Sequence, residues 1–79
     1  MAVSVYSTPT CTYCTQIKQY FRDRQVKFVD YDVSRDQRKG EEMVHKSNQT
    51  GVPVVDFNGT IVVGFDRNRL DRLITDLKR

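Results

Sequence analysis

The chain is predicted to fold as one α/β domain, a four-stranded mixed sheet flanked by three helices in the order β-α-β-α-β-β-α. Two β-rich stretches near the start are separated by an amphipathic helical stretch, which implies a right-handed crossover and a parallel strand pair. Two later β-rich stretches flank Asn58-Gly59, which predicts a tight hairpin adding antiparallel strands to the same sheet. The C-terminal stretch carries a helical apolar stripe. Residues 1–79 form a single domain on this reading, with no internal repeat, low-complexity segment or linker.

Val3, Ser4, Val5 and Tyr6 alternate as a short strand, and Thr8-Pro9-Thr10 breaks the pattern. From Thr12 to about Arg24, Cys14, Ile17, Tyr20 and Phe21 recur at helical spacing, with Gln16, Lys18, Gln19, Arg22 and Asp23 between them. Val26 to Val33 is β-rich, and its apolar side chains fall on both parities, the pattern of a strand covered on both faces. Ser34-Arg35-Asp36-Gln37 fits a capping box, so a second helix is expected to start at Ser34 and run to about Ser47 or Asn48. Its apolar content is thin (Met43, Val44), and Gly40 weakens it by roughly 0.5–1 kcal/mol relative to alanine. Val54–Phe57 and Thr60–Val63 are the hairpin strands, because both central residues of a type I′ turn need positive φ. Leu70, Leu73, Ile74 and Leu77 mark the last helix.

At 79 residues, one hydrophobic core only just offsets the conformational entropy of the chain. Thirteen basic and ten acidic side chains give a net charge of +3 and a pI near 9.1. The basic residues are dispersed among acidic ones, which argues against a nucleic-acid face and leaves a mild positive field able to steer an acidic protein partner. Met1 to Tyr6 has neither the basic flank nor the apolar run of a signal peptide, and no segment approaches the roughly 20 apolar residues of a membrane span. A soluble, cytoplasmic monomer is expected, with neither membrane nor nucleic acid as partner.

The only cysteines, Cys11 and Cys14, enclose Thr12 and Tyr13. A ring that small constrains the unfolded chain little, so its stabilising effect belongs near the bottom of the usual range of about 0–5 kcal/mol. Cysteines so spaced in a reducing compartment serve catalysis or metal binding more than stapling. The predicted strand-to-helix junction supplies the chemistry. Cys11 precedes the helix, where the amides of Tyr13 and Cys14 lack intrahelical acceptors and favour negative charge on sulfur. Cys14 lies one turn further in, on the face of Ile17 and Phe21, and is expected to be more buried and more protonated. Cys11 is thus the nucleophile and Cys14 the resolving thiol. No bound cofactor is required, since the disulfide ring itself stores both electrons. A zinc site would need about four ligands, and beyond the cysteines the chain offers only His45 and carboxylates; no metal ligands are assigned.

Val52-Pro53 opens the third strand. A cis bond there would leave the Val52 backbone free to pair with an extended thiol peptide; the alternative is a plain strand-start proline.

Val5-Tyr6-Ser7-Thr8-Pro9-Thr10-Cys11-Thr12-Tyr13-Cys14, Thr50-Gly51-Val52-Pro53 and Gly64-Phe65-Asp66 together resemble the glutaredoxin family and its glutaredoxin-like relatives, including NrdH-redoxins. The resemblance spans essentially the whole chain and implies a thioredoxin-like fold of glutaredoxin type. It also implies dithiol–disulfide oxidoreductase activity, with Cys11 as nucleophile, Cys14 as resolving cysteine and Pro53 cis. Tyr13 would be the aromatic beside the thiol, Val52 the backbone that pairs with the glutathione cysteine, and Asp66 with the Phe65 backbone the contact for the γ-glutamyl end. The implied partners are disulfide-bearing proteins, with ribonucleotide reductase or a peroxidase as candidates, and glutathione or thioredoxin reductase as the source of electrons.

Departures from the family pattern bear on the redox potential, in the case of Thr12, and on the reductant, in the case of the others. Thr12 stands where a proline is usual between the cysteines. Thr8 stands where glutathione-binding members commonly carry a lysine, and Gly51 where many have threonine. Gly64-Phe65 looks more like the Gly-Phe of NrdH-redoxins than a Gly-Gly pair. NrdH-redoxins draw on thioredoxin reductase and donate to ribonucleotide reductase, so the reductant stays open between that enzyme and glutathione. A reading of another class is an iron–sulfur or metal-binding module, as some glutaredoxin relatives bridge a cluster between two chains.

Overall fold

A computed structural model describes residues 2–77, and the seven elements follow in the expected order. They are β1 (Val3–Ser7), α1 (Thr12–Asp23), β2 (Val29–Asp32), α2 (Gln37–Ser47), β3 (Val54–Phe57), β4 (Thr60–Val63) and α3 (Arg67–Leu77). The strands form one mixed sheet in the order β2-β1-β3-β4, with β1 parallel to β2 and antiparallel to β3.

Strand alternation divides the core between the two faces of this sheet. Val3, Val5, Val55, Phe57 and Val62 point to one face, where Ile17, Tyr20 and Phe21 of α1 and Leu70 and Ile74 of α3 cover them. Tyr6 and Val54 point to the other, against Met43 of α2. Met43 is the one buried apolar side chain of α2, so polar contacts also tie this helix down. The buried Tyr6 hydroxyl donates to Glu42 Oε2 (2.5 Å), and Lys46 Nζ donates to both the Tyr6 hydroxyl (3.0 Å) and Asp56 Oδ2 (2.7 Å). A buried hydroxyl left without partners would cost stability; here every one of its bonds ties α2 to the sheet.

The hairpin forms as the sequence predicts, with Asn58 at φ 51° and Gly59 at φ 99°. Asp56 Oδ1 accepts the Gly59 amide at 2.8 Å, closing the turn from one side.

Two expectations are corrected. The second strand is not Val26–Val33 covered on both faces; β2 is shorter, lies at the sheet edge, and leaves Val29 52% exposed. The double parity arose because Val26 is buried and Phe28 partly buried from a connecting loop, in which Gln25 adopts φ 58° and the Val26 amide donates back to the Phe21 carbonyl at 2.9 Å. Nor does Ser34 start α2. Asp32 captures both the amide and the hydroxyl of Ser34, while Asp36 caps the helix by accepting the Lys39 amide at 3.2 Å. Two Asx- and Ser-type motifs competed for one turn, and the carboxylate nearer the helix won.

The register brings distant loops together. Ser7 pairs with Asp32, Tyr6 with Val54, and Val54 with Val63, so the ends of β1, β2 and β4 and the start of β3 share one end of the sheet. The loops at 8–11, 51–53 and 64–66 all emerge there. No helix among the described residues is long and apolar enough to cross a membrane.

Candidate active site

Thr8-Pro9-Thr10 turns the chain from β1 into α1, with the Cys11 amide donating to the Thr8 carbonyl at 3.3 Å. Cys11 occupies the N-cap position in extended conformation (φ −88°, ψ 113°). Its sulfur takes the role usually played by a Ser or Asp oxygen and accepts the Cys14 amide at 3.1 Å. One of the orphan donors of the helix start thus points at the sulfur, and the thiol remains half-exposed. The arrangement holds the sulfur against oriented backbone dipoles while leaving it open to a partner.

Cys14 differs in every respect. It is fully buried among the inward side chains of α1, and both cysteines are free thiols. Burial pushes the Cys14 thiol from the usual 9.0 up to about 12, and the hydrogen bond shared with Cys11 adds to the rise. A backbone hydrogen bond from Thr8 and the charge of Lys18 act in the opposite sense. The two thiols are thereby set apart, one accessible and one buried and protonated.

A pH dependence of stability follows. The folded state holds the Cys14 proton more tightly than the unfolded chain does, so this stabilising contribution is complete below about 9 and is lost as pH rises toward about 12. Tyr20 acts in the same sense: burial, and then the hydroxyl it donates to Asp71, push it from 10.0 to about 12. Chemical denaturation at several alkaline pH values should show a midpoint that falls above pH 9, with a smaller fall in Cys14→Ser. Equal slopes for the two proteins would remove Cys14 from the account.

The other sequence-derived site residues fall at the same end of the sheet. Tyr13 projects from the first turn of α1 and is 63% exposed. The Val52-Pro53 bond is cis. Among the described residues, neither the amide nor the carbonyl of Val52 has a backbone partner, whereas the Pro53 carbonyl accepts the Gly64 amide at 2.9 Å and binds the third loop to the second. Phe65 is half-buried, its ring edge-on to Tyr20 at 5.6 Å, so its side chain serves packing. Asp66 is exposed and accepts the Arg69 amide at 3.2 Å, capping α3; with Phe65, Val63, Arg67 and Asn68 it lines an open depression of about 520 Å³. His45 is exposed on α2, and among the described residues no three His, Cys, Asp or Glu side chains converge as metal ligands.

Lys18, one of the dispersed basic residues, is tied to the sheet. It stands one helical turn beyond Cys14, and its Nζ donates to Asp30 Oδ2 at 2.9 Å. The i, i+4 spacing was the available signal; the Asp30 partner comes from β2 and was not legible before the fold was known.

The glutaredoxin family model matches residues 3–62 of this chain. The chain is 43% identical over 72 residues to the glutaredoxin-like 8.6 kDa protein in the rubredoxin operon of Clostridium pasteurianum, spanning 91% of this chain and 96% of that one. It is 30% identical over 64 residues to glutaredoxin 3 of Escherichia coli, spanning 81% and 77%. Among solved structures, the glutaredoxin of Archaeoglobus fulgidus superposes with a TM-score of 0.85 at 25% identity, over 94% of this chain and 87% of that one. The NrdH-redoxin of Escherichia coli gives 0.83 at 23% identity, over 92% and 95%. The mixed sheet with its three helices is therefore a thioredoxin-like fold.

Proposed function

The chain belongs to the glutaredoxin family, and on that premise we propose that it is a dithiol–disulfide oxidoreductase that reduces protein or mixed disulfides through Cys11 and Cys14. The observation that carries this reading is the contrast between the thiols: Cys11 half-exposed at the helix start with its sulfur on the Cys14 amide, Cys14 fully buried behind it.

In the cycle, the Cys11 thiolate attacks one sulfur of a substrate disulfide, the other sulfur departs as a thiolate, and a mixed disulfide remains on Cys11. Cys14 then attacks the Cys11 sulfur and expels the second half of the substrate, leaving a Cys11–Cys14 disulfide. Two electrons pass to the substrate in each turn. No bound cofactor takes part; a reductant outside the chain restores both thiols.

Tyr13, Val52, Pro53, Phe65 and Asp66 form the surface on which the substrate lies. The unpartnered Val52 backbone suits an extended peptide or glutathione added as a short strand, and the Asp66 carboxylate suits an ammonium group. Disulfide-bearing proteins are the partners of this surface, with ribonucleotide reductase or a peroxidase among them.

The reductant is assigned by one assay. NADPH oxidation is followed with hydroxyethyl disulfide or insulin as substrate, once with glutathione and glutathione reductase and once with thioredoxin reductase alone. Coupling through glutathione makes the protein a glutaredoxin in activity, and coupling through thioredoxin reductase an NrdH-redoxin-like donor. The absence of turnover with either system and either substrate would sink the oxidoreductase reading.

A further inference from the structure

We propose that Lys18 is a positioning residue for the resolving step, its ammonium held by Asp30, which Ser7 holds in turn, on the face of α1 that carries the buried Cys14. The proposal rests on the dithiol reading above and assigns a role within it that neither cysteine can fill alone.

Resolution needs a Cys14 thiolate, and the complete burial of that sulfur opposes one. The groups around it come from three elements. From α1 come Cys11 and, one turn further on, Lys18, which i, i+4 spacing stacks on the face of Cys14. From the loop after β1, the Thr8 backbone acts on the thiol in the sense that favours its anion. From β2, Asp30 meets Lys18.

Left free, a lysine side chain sweeps through solvent and does little for a buried neighbour. Here Lys18 Nζ is fixed on Asp30 Oδ2 at 2.9 Å, with the lysine side chain only 19% exposed. The other carboxylate oxygen, Oδ1, accepts the Ser7 hydroxyl at 2.6 Å. Ser7 is itself buried at 2% exposure, the only buried polar residue among those described, and ends the strand that leads into Thr8 and the cysteines. A serine in the core, an aspartate across the parallel strand pair and a lysine on the helix thus form one chain of contacts that ends one helical turn from the resolving thiol. The ion pair itself is partly exposed and contributes little to stability, so stability alone does not account for its ordered placement.

In the step concerned, Cys14 loses its thiol proton to water or buffer. The thiolate then attacks Cys11 Sγ, the bond between Cys11 and the substrate sulfur breaks, and the departing substrate thiolate takes up a proton. Lys18 keeps its proton throughout and stabilises the anion that exists before the attack.

The test is a single-turnover reaction of the reduced protein with a symmetric disulfide of a fluorescently labelled cysteine peptide, in which the first thiol released reports attack and the second reports resolution. Wild type, Lys18→Gln and Lys18→Arg are compared from about pH 5 to 9. In Lys18→Gln the second release should slow about tenfold throughout this range while still rising with pH. Lys18→Arg, which keeps the charge, should stay within about threefold of wild type. The first release should be the same in all three. An unchanged second release in Lys18→Gln, an equal slowing of both releases, or a Lys18→Arg as slow as Lys18→Gln would overturn the role of Lys18 while leaving the dithiol cycle standing. A wild-type protein that releases one thiol and never the second would overturn the cycle itself, and the role of Lys18 with it.

Discussion

Cys11→Ser should abolish disulfide reduction, lowering turnover on the order of a thousandfold or more, because a serine oxygen cannot form the mixed disulfide on which the cycle depends. Cys14→Ser should behave differently. Its Cys11 still attacks, so the variant should accumulate a mixed disulfide with the substrate, seen as one added peptide mass by intact mass spectrometry. Cys11→Ser should show no such adduct, because its remaining thiol is fully buried. The asymmetry decides the matter. Adducts on both variants in equal yield, or wild-type turnover in Cys11→Ser, would mean that the roles of the two sulfurs are wrongly assigned. The expectation draws on two local facts, the Cys14 amide 3.1 Å from Cys11 Sγ and the complete burial of Cys14.

Phe21→Ala should be the most damaging single change to stability. Phe21 is fully buried on α1, and its ring lies 5.6 Å from Tyr20, 5.7 Å from Phe28 and 6.2 Å from Phe57. It thereby joins α1, the loop before β2 and β3 in one aromatic cluster. Removing it leaves a cavity bounded by rings on three elements that cannot all move inward, at a cost of about 3–5 kcal/mol. A domain of this size has little more than that in reserve, so much of the population should unfold near 37 °C. The melting temperature should fall by roughly 15–30 °C. A loss under about 1 kcal/mol in a denaturant titration would show that the aromatic cluster repacks and is not the keystone of this core. Wild-type reactivity of Cys11 in the surviving folded fraction would separate this effect from chemistry at the site.

Much of this protein could be read before its fold was known, and the misses have physical causes. Helix α1, the hairpin and α3 were legible because local rules alone specify them. Cys14, Ile17, Tyr20 and Phe21 recur at helical spacing and are all buried; Asn58 and Gly59 both take positive φ; Leu70 and Ile74 face inward. Edge and interior strands, by contrast, differ only in what lies beside them. Val26–Val33 therefore read as an interior strand although β2 sits at the edge with Val29 exposed. The start of α2 was ambiguous because Asp32, Ser34 and Asp36 offer rival turn and cap geometries within five residues, and neighbouring contacts settled the competition.

The sequence by itself determined the chemistry this chain carries: two thiols at the start of an amphipathic helix, where unpaired amides await a sulfur and the next turn points inward. Both properties follow from the periodicity and polarity of a helix, which residue spacing encodes directly. Only the tertiary structure decided what surrounds those thiols. Strand register brings the loops at 8–11, 51–53 and 64–66 to one end of the sheet, and the parallel pairing of β1 with β2 carries Ser7 and Asp30 to Lys18. Contacts between residues twelve and twenty-three positions apart depend on which strands pair and in what register. That is set by the burial of both sheet faces at once, not by any local run of residues.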